Sequence, residues 1–167
     1  SEISIRDSFY DLKSNVARKA GSMWKEKSKE MLFWTKEEYT QFIEAVADKP
    51  ISFYEFEIFY WCGLRMGELL ALTPADLDFS SHTIRINKSY QRLEGKDVIT
   101  DPKTPKSNRI IVMPEFLSEE LESYLSMLYG LKETDRIFQI SKSYLHHEID
   151  RGVKLSGVKR IRIHDLR

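Results

Sequence analysis

The spacing of apolar residues divides the chain into helical stretches on either side of a strand-like middle. Over residues 4–20, Ile5, Phe9, Leu12 and Val16 fall near one helical face, and Gly21 closes that helix. The polar, lysine-rich SMWKEKSKEM that follows reads as a linker. A second helix opens at FWTKEEY. Thr35 as N-cap and Glu38 three residues on make a capping box, and Tyr39, Phe42, Ile43 and Val46 form the buried stripe. Pro50 stops it. Ser52 and Glu55 repeat the capping pattern and predict the start of an aromatic-rich helix, FYEFEIFYWC, which Gly63 terminates. LRMGELLAL is a short helix, and Thr73-Pro74 sets a further cap with proline at the first helical position.

The texture then changes. HTIRINKSYQRL alternates as a strand does, Glu94–Asp97 reads as a turn, and VIT and RIIVMP are further strands separated by the polar DPKTPKSN. After Pro114 helical spacing returns at Phe116, Leu117, Leu121, Leu125 and Leu128. RIFQI is a short extended piece, SYLHHEIDRGVKL a helix from Ser143, and IRIHDLR the opening of another. The order predicts an α+β domain, mainly α-helical, with a small antiparallel sheet of about three strands.

The chain has 167 residues, 41% of them hydrophobic, enough for a real core. No apolar run approaches the ~20 residues of a membrane helix, and no charged-then-apolar leader opens at Ser1, so neither a membrane nor a secretory route is expected. Cys62 is the only cysteine. It excludes an intrachain disulfide, which suits a reducing compartment, and its apolar neighbours read as those of a small buried hydrophobe. The formal net charge is zero, yet the layout is uneven. Arg85 to Arg109 holds seven Lys/Arg against three Asp/Glu, and Arg151 to Arg167 six against one. A neutral chain so arranged presents either a mixed surface or one cationic face to a polyanion.

Three places hold candidate chemistry. Arg65 sits just past a helix end among Leu64, Leu69, Leu70 and Leu72, with Glu68 one turn on; such an arginine either snorkels beside a local acid or meets an anion. Lys103, Lys106 and Arg109 lie on or beside a loop between strands, as solvated charge or as a proton donor and phosphate contact. His164 and Arg167, three apart, share one helical face. His146 and His147 point about 100° apart on a helix and so make a poor metal pair.

Taken together, the arginine of GLRMGELLAL, the lysine of the strand-flanked KTPKSNRIIVMP and the terminal HDLR resemble, in order and context, the catalytic domain of the tyrosine recombinases, the integrases of bacteriophages and integrative conjugative elements. The resemblance runs from about Met31 to Arg167. It implies that residues 1–30 are the last helix of a core-DNA-binding domain plus a linker, and that 31–167 are a catalytic domain incomplete at its C-terminal end. By the same resemblance Arg65, Lys103, His164 and Arg167 are catalytic and Glu68 supports the first arginine. Lys88, Arg92, Lys106, Arg109 and Arg162 are the candidate contacts to DNA phosphates.

The implied reaction is site-specific recombination through a 3′-phosphotyrosyl intermediate, and the residue types suit it. Two guanidiniums clamp the non-bridging oxygens of a five-coordinate phosphorus, a lysine protonates the leaving 5′-oxygen, and the histidine handles the tyrosine proton. The resemblance implies no metal or cofactor. It implies double-stranded DNA at recombination sites as partner, a tetramer on that DNA, and the cytoplasm of a bacterial host. All eight tyrosines precede His164, where the family's nucleophile follows the second arginine. This stretch is therefore expected to bind DNA phosphate without cleaving it, as part of a longer recombinase. The alternatives are a non-catalytic DNA-binding module of the same fold and a type IB topoisomerase.

Overall fold

The structure, a computed structural model, describes residues 32–101 and 107–166. The helix and linker expected over residues 1–30 lie outside them, as do Lys103, Lys106 and Arg167. Helix α1, Lys36–Val46, begins at the capping box read from the sequence: Thr35 Oγ1 accepts the Glu38 N–H, and Glu38 Oε1 accepts the Thr35 N–H, both at 3.1 Å. Its stripe of Tyr39, Phe42, Ile43 and Val46 is buried.

Helix α2, Pro50–Cys62, departs from its expected start. Pro50 is its first residue and Lys49 its N-cap, so Ser52 and Glu55 lie inside the helix and cap nothing. Both are fully buried. Ser52 donates to Glu148, 96 residues away, and Glu148 is held in turn by Arg151 at 2.7 Å. Glu57 accepts from Tyr39 Oη at 2.7 Å and Trp61 Nε1 at 3.3 Å. Glu55 differs: among the described residues neither of its carboxyl oxygens has a hydrogen-bond partner. A helix buried all round is the central element of its domain, and here Phe56, Ile58, Phe59 and Tyr60 complete the burial. Gly63 ends it in the left-handed conformation, φ +69°.

Helix α3, Met66–Ala71, and a 3-10 turn, Pro74–Asp76, lead to the strands. Strands β1 (Leu77–Asp78), β2 (Thr83–Ile86) and β5 (Arg109–Val112) form one antiparallel sheet in the order β1-β2-β5. A second, two-stranded sheet pairs β3 (Ser89–Leu93) with β4 (Lys96–Thr100) through a tight turn in which Glu94 and Gly95 both take positive φ. The single strand expected from HTIRINKSYQRL is thus two strands. The break falls at Asn87–Lys88, where the Lys88 ammonium is bound to the buried Asp76 carboxylate.

Helix α4, Glu115–Ser126, follows Pro114 as expected. RIFQI forms no ladder; its Ile137 N–H donates to Leu72 O at 2.8 Å. Helix α5, Lys142–Ser156, is capped by Ser141 and packs on α1. Gly152 is where they touch: a Cβ there would lie 2.3 Å from Phe42 Cε2 and 2.8 Å from Val46 Cγ1. The Phe42 ring is wedged between Trp34, 4.5 Å away, and Phe56, 4.9 Å away, and cannot swing clear. Gly152→Ala is therefore expected to cost about 2 kcal/mol, overpacking outweighing alanine's better helix propensity. Urea unfolding of the two chains checks this; equal midpoints would show that α1 and α5 separate without cost.

Candidate functional site

Gly63 turns the chain out of α2, Leu64 enters the core, and Arg65 comes out exposed as the N-cap of α3. Below it lies Glu68, 6% exposed. Oε1 of Glu68 accepts the Arg65 backbone N–H at 2.9 Å. Both its oxygens also take the Arg109 guanidinium, Nη1 on Oε2 at 2.7 Å and Nη2 on Oε1 at 2.9 Å. Burial acts to raise the Glu68 pKa. The hydrogen bonds from Arg109 and from the Arg65 backbone outweigh it and leave the carboxyl below its ordinary value. Arg109 is raised in return, first by its hydrogen bond to Glu68. The Arg65 guanidinium has no carboxylate within 4 Å among the described residues.

Helix α3 lies close on β3. A Cβ at Gly67 would sit 2.3 Å from Ser89 Oγ and 3.1 Å from Tyr90 O, so a residue without a side chain sets that approach. Arg136 fastens the same contact from behind. It donates to Leu70 O at 3.0 Å and Phe138 O at 3.2 Å, and stacks 3.9 Å over the Tyr90 ring. Tyr90 Oη donates to Asp97 at 2.7 Å, and this bond leads in holding the Asp97 carboxyl below its usual value. The β3–β4 hairpin, which leads toward residues 102–106, is thereby fixed to the helix that follows Arg65.

The last described turn, Ile163–Leu166, is a single 3-10 turn where the sequence predicts the start of a helix. Ile163 and Leu166 are buried in the same core cluster as Leu64 and Leu69, which leaves His164 exposed beside a turn anchored on both sides. Asp165 lies beside it: His164 Nε2 is 3.4 Å from one oxygen, and Arg162 Nε donates to the other at 2.9 Å. Arg160 donates to Asp150 at 2.6 Å and fixes the approach to this turn.

Of the expected phosphate contacts, two are committed elsewhere. Lys88 is spent on buried Asp76 and Arg109 on buried Glu68, because a carboxylate that far from water requires a counter-charge. Arg92 and Arg162 remain on the surface with local partners, Asp97 at 3.0 Å and Asp165 at 2.9 Å. The Arg92–Asp97 pair, exposed on both sides, is held weakly and can exchange for another anion, whereas the Asp165 side chain is only 9% exposed. Sequence reading missed Arg136, Gly67 and the Glu68–Arg109 pair. The two partners of that pair stand 41 residues apart, and no local pattern joins them.

Residues 33–167 match the phage integrase family. The ICEBs1 integrase of Bacillus subtilis (strain 168) is 32% identical over 153 residues, which cover 83% of this chain and 42% of that protein. The integrase of Mycobacterium phage L5 is 26% identical over 145 residues, covering 75% of this chain and 39% of the phage protein. The chain thus spans about two fifths of the length of these relatives. Among solved structures, the Tn1549 transposon integrase in complex with circular intermediate DNA superposes with a TM-score of 0.69 at 20% identity, over 84% of this chain and 53% of that one. XerA recombinase gives 0.64 at 23% identity, over 84% and 47%. These superpositions establish the α+β fold.

Proposed function

Because the chain belongs to the phage integrase family of tyrosine recombinases, we propose that the protein it forms part of breaks and rejoins DNA at specific sites through a 3′-phosphotyrosyl intermediate. Arg65 and Arg167 would hold the non-bridging oxygens, Lys103 would protonate the leaving 5′-oxygen, and His164 would take the tyrosine proton and contact the phosphate. Glu68 holds the Arg65 backbone in place for that task. Arg92, Lys106 and Arg162 would steer the duplex through phosphate contacts, and Lys88 and Arg109 act through the carboxylates they bind. Double-stranded DNA is the partner, four copies assemble on it, and the reaction takes place in the cytoplasm of a bacterial host.

The observation that carries this reading is the Arg65 guanidinium, exposed and unpaired by any described carboxylate, above a buried acid already saturated by other donors. A charge held outward in this way is suited to an anion that arrives from solution. The test is covalent trapping. The protein in its native reading frame is incubated with a nicked duplex of its element's joined ends, so that the cleaved strand diffuses away. A protein–DNA adduct stable to denaturant and joined through tyrosine is the expected result. Binding without adduct would sink the enzymatic reading and favour the non-catalytic DNA-binding module. Relaxation of supercoils without any preferred site would point to a topoisomerase.

A further inference from the structure

We infer that Arg109 is a positioning residue for Arg65: its guanidinium occupies the Glu68 carboxylate and so keeps the Arg65 guanidinium unpaired and available to a DNA phosphate. The inference rests on the proposed role of Arg65 and adds the device that keeps it available. Glu68 is nearly out of water, and an ionised acid in that setting demands a cation. Two arginines are within its reach. Arg109 is bound by a two-pronged fork that covers both oxygens, at 2.7 and 2.9 Å. Arg65 is three residues away on the same turn and gives Glu68 only its backbone N–H. The Arg65 charge nonetheless acts on Glu68 through space, so it is the nearest replacement once Arg109 is gone. Side chains three apart on one helical turn meet readily. With Arg109 removed, Glu68 captures Arg65 and withdraws it from the surface.

The same ion pair has a second consequence. Arg109 opens β5, where the chain returns from residues 102–106. Its bond to Glu68 therefore ties the end of the segment that carries Lys103 to the helix that follows Arg65. One carboxylate thus joins the backbone of Arg65 to the first residue of β5.

A competing view is the one the sequence suggests, in which Arg109 itself touches phosphate. The two views separate in a double-variant cycle on the full 167-residue chain, read as affinity for a duplex oligonucleotide by fluorescence anisotropy across a salt series. Arg109→Ala is expected to weaken binding about tenfold and to lower the salt slope by about one charge. Adding Glu68→Gln, which keeps an acceptor for the Arg65 N–H but no longer attracts a cation, is expected to restore affinity to within about threefold of the starting chain. In an Arg65→Ala background, Arg109→Ala is expected to change nothing further. A direct phosphate contact would instead give the same loss in all three backgrounds, and that result overturns the inference.

Arg109→Lys guards against misfolding of the alanine variant. It keeps a charge on Glu68 but covers one oxygen, and is expected to fall between the two, about threefold weaker. Guanidinium nitrogen NMR gives a reading that needs no DNA. In Arg109→Ala the Arg65 Nη signals should become rotationally restricted, as those of Arg109 should be in the parent chain, where both nitrogens bind Glu68. Unchanged Arg65 signals would overturn the inference. Failure of the parent chain to bind the duplex would instead refute the role proposed for Arg65, and the NMR would still decide whether Glu68 captures it.

Discussion

Glu55→Gln is expected to stabilise the domain by about 3 kcal/mol at pH 7, and by almost nothing near pH 4.5. Glu55 is buried in α2 with both oxygens unpartnered among the described residues. Burial, aided by the nearby negative charge of Glu148, pushes its pKa from 4.5 up to about 9. The sign follows from proton counting. Between those two values the folded chain holds one proton that the unfolded chain has released, so stability falls as pH rises from about 4.5 to about 9 and is flat outside that window. At roughly 1.4 kcal/mol per pH unit, the two and a half units up to neutrality give the figure stated. Glutamine has nearly the same shape and no proton to lose. Urea unfolding of both chains at half-unit steps from pH 4.5 to 8.5 should show two lines diverging upward in pH. Parallel lines would mean that Glu55 ionises inside the fold and has a partner there. Glu55→Met, which also removes the orphaned oxygens, should be at least as stable as the glutamine variant.

Arg65→Ala in the protein carrying its native reading frame is expected to reduce strand cleavage by about two to three orders of magnitude, the usual effect of removing one donor to an oxyanion in a transition state. Its stability should shift by less than about 0.5 kcal/mol, because the side chain is exposed and the capping bond from Glu68 goes to the backbone. The two readouts together are what make the result informative, since a merely structural arginine would lose stability and keep its chemistry. Arg65→Lys should rescue little, because a point charge cannot span two oxygens. Cleavage within about threefold of the parent would remove Arg65 from the site. Single-turnover trapping on the nicked duplex supplies the rate, and the unfolding midpoint supplies the control.

What could be read from the sequence was what is decided within a few residues. The Thr35–Glu38 box, the Gly63 stop and the Pro74 start are each set by one turn of chain, and the helix read from Ser143 begins one residue earlier, at Lys142. Ser52 and Glu55 show how the same rule misleads. Their spacing is that of a capping box, but Pro50 had already opened the helix, and their environment is made by Glu148 and its neighbours in α5. The break at Lys88 was hidden for a like reason, since Asp76 lies in an earlier turn. The site divides in the same way. The residue types proposed to react stand in short motifs, while the couplings beside them, Glu68 to Arg109 and Arg136 to Tyr90, join segments 41 and 46 residues apart and exist only once the chain has folded.

The packing of α1 on α5 has a consequence for synthesis. Helix α1 begins at Lys36 and its cover ends at Ser156, while the Trp34 indole N–H is bound by the carbonyl of Lys159 at 2.7 Å, 125 residues later. At the usual ribosomal pace of about 5–20 residues per second, α1 leaves the ribosome on the order of ten seconds before its partner. Through that interval the Phe42 and Val46 face, which Gly152 later meets, stays open to other chains. The nascent protein thus passes through a stage in which the Phe42 and Val46 face is made and its cover in α5 is not.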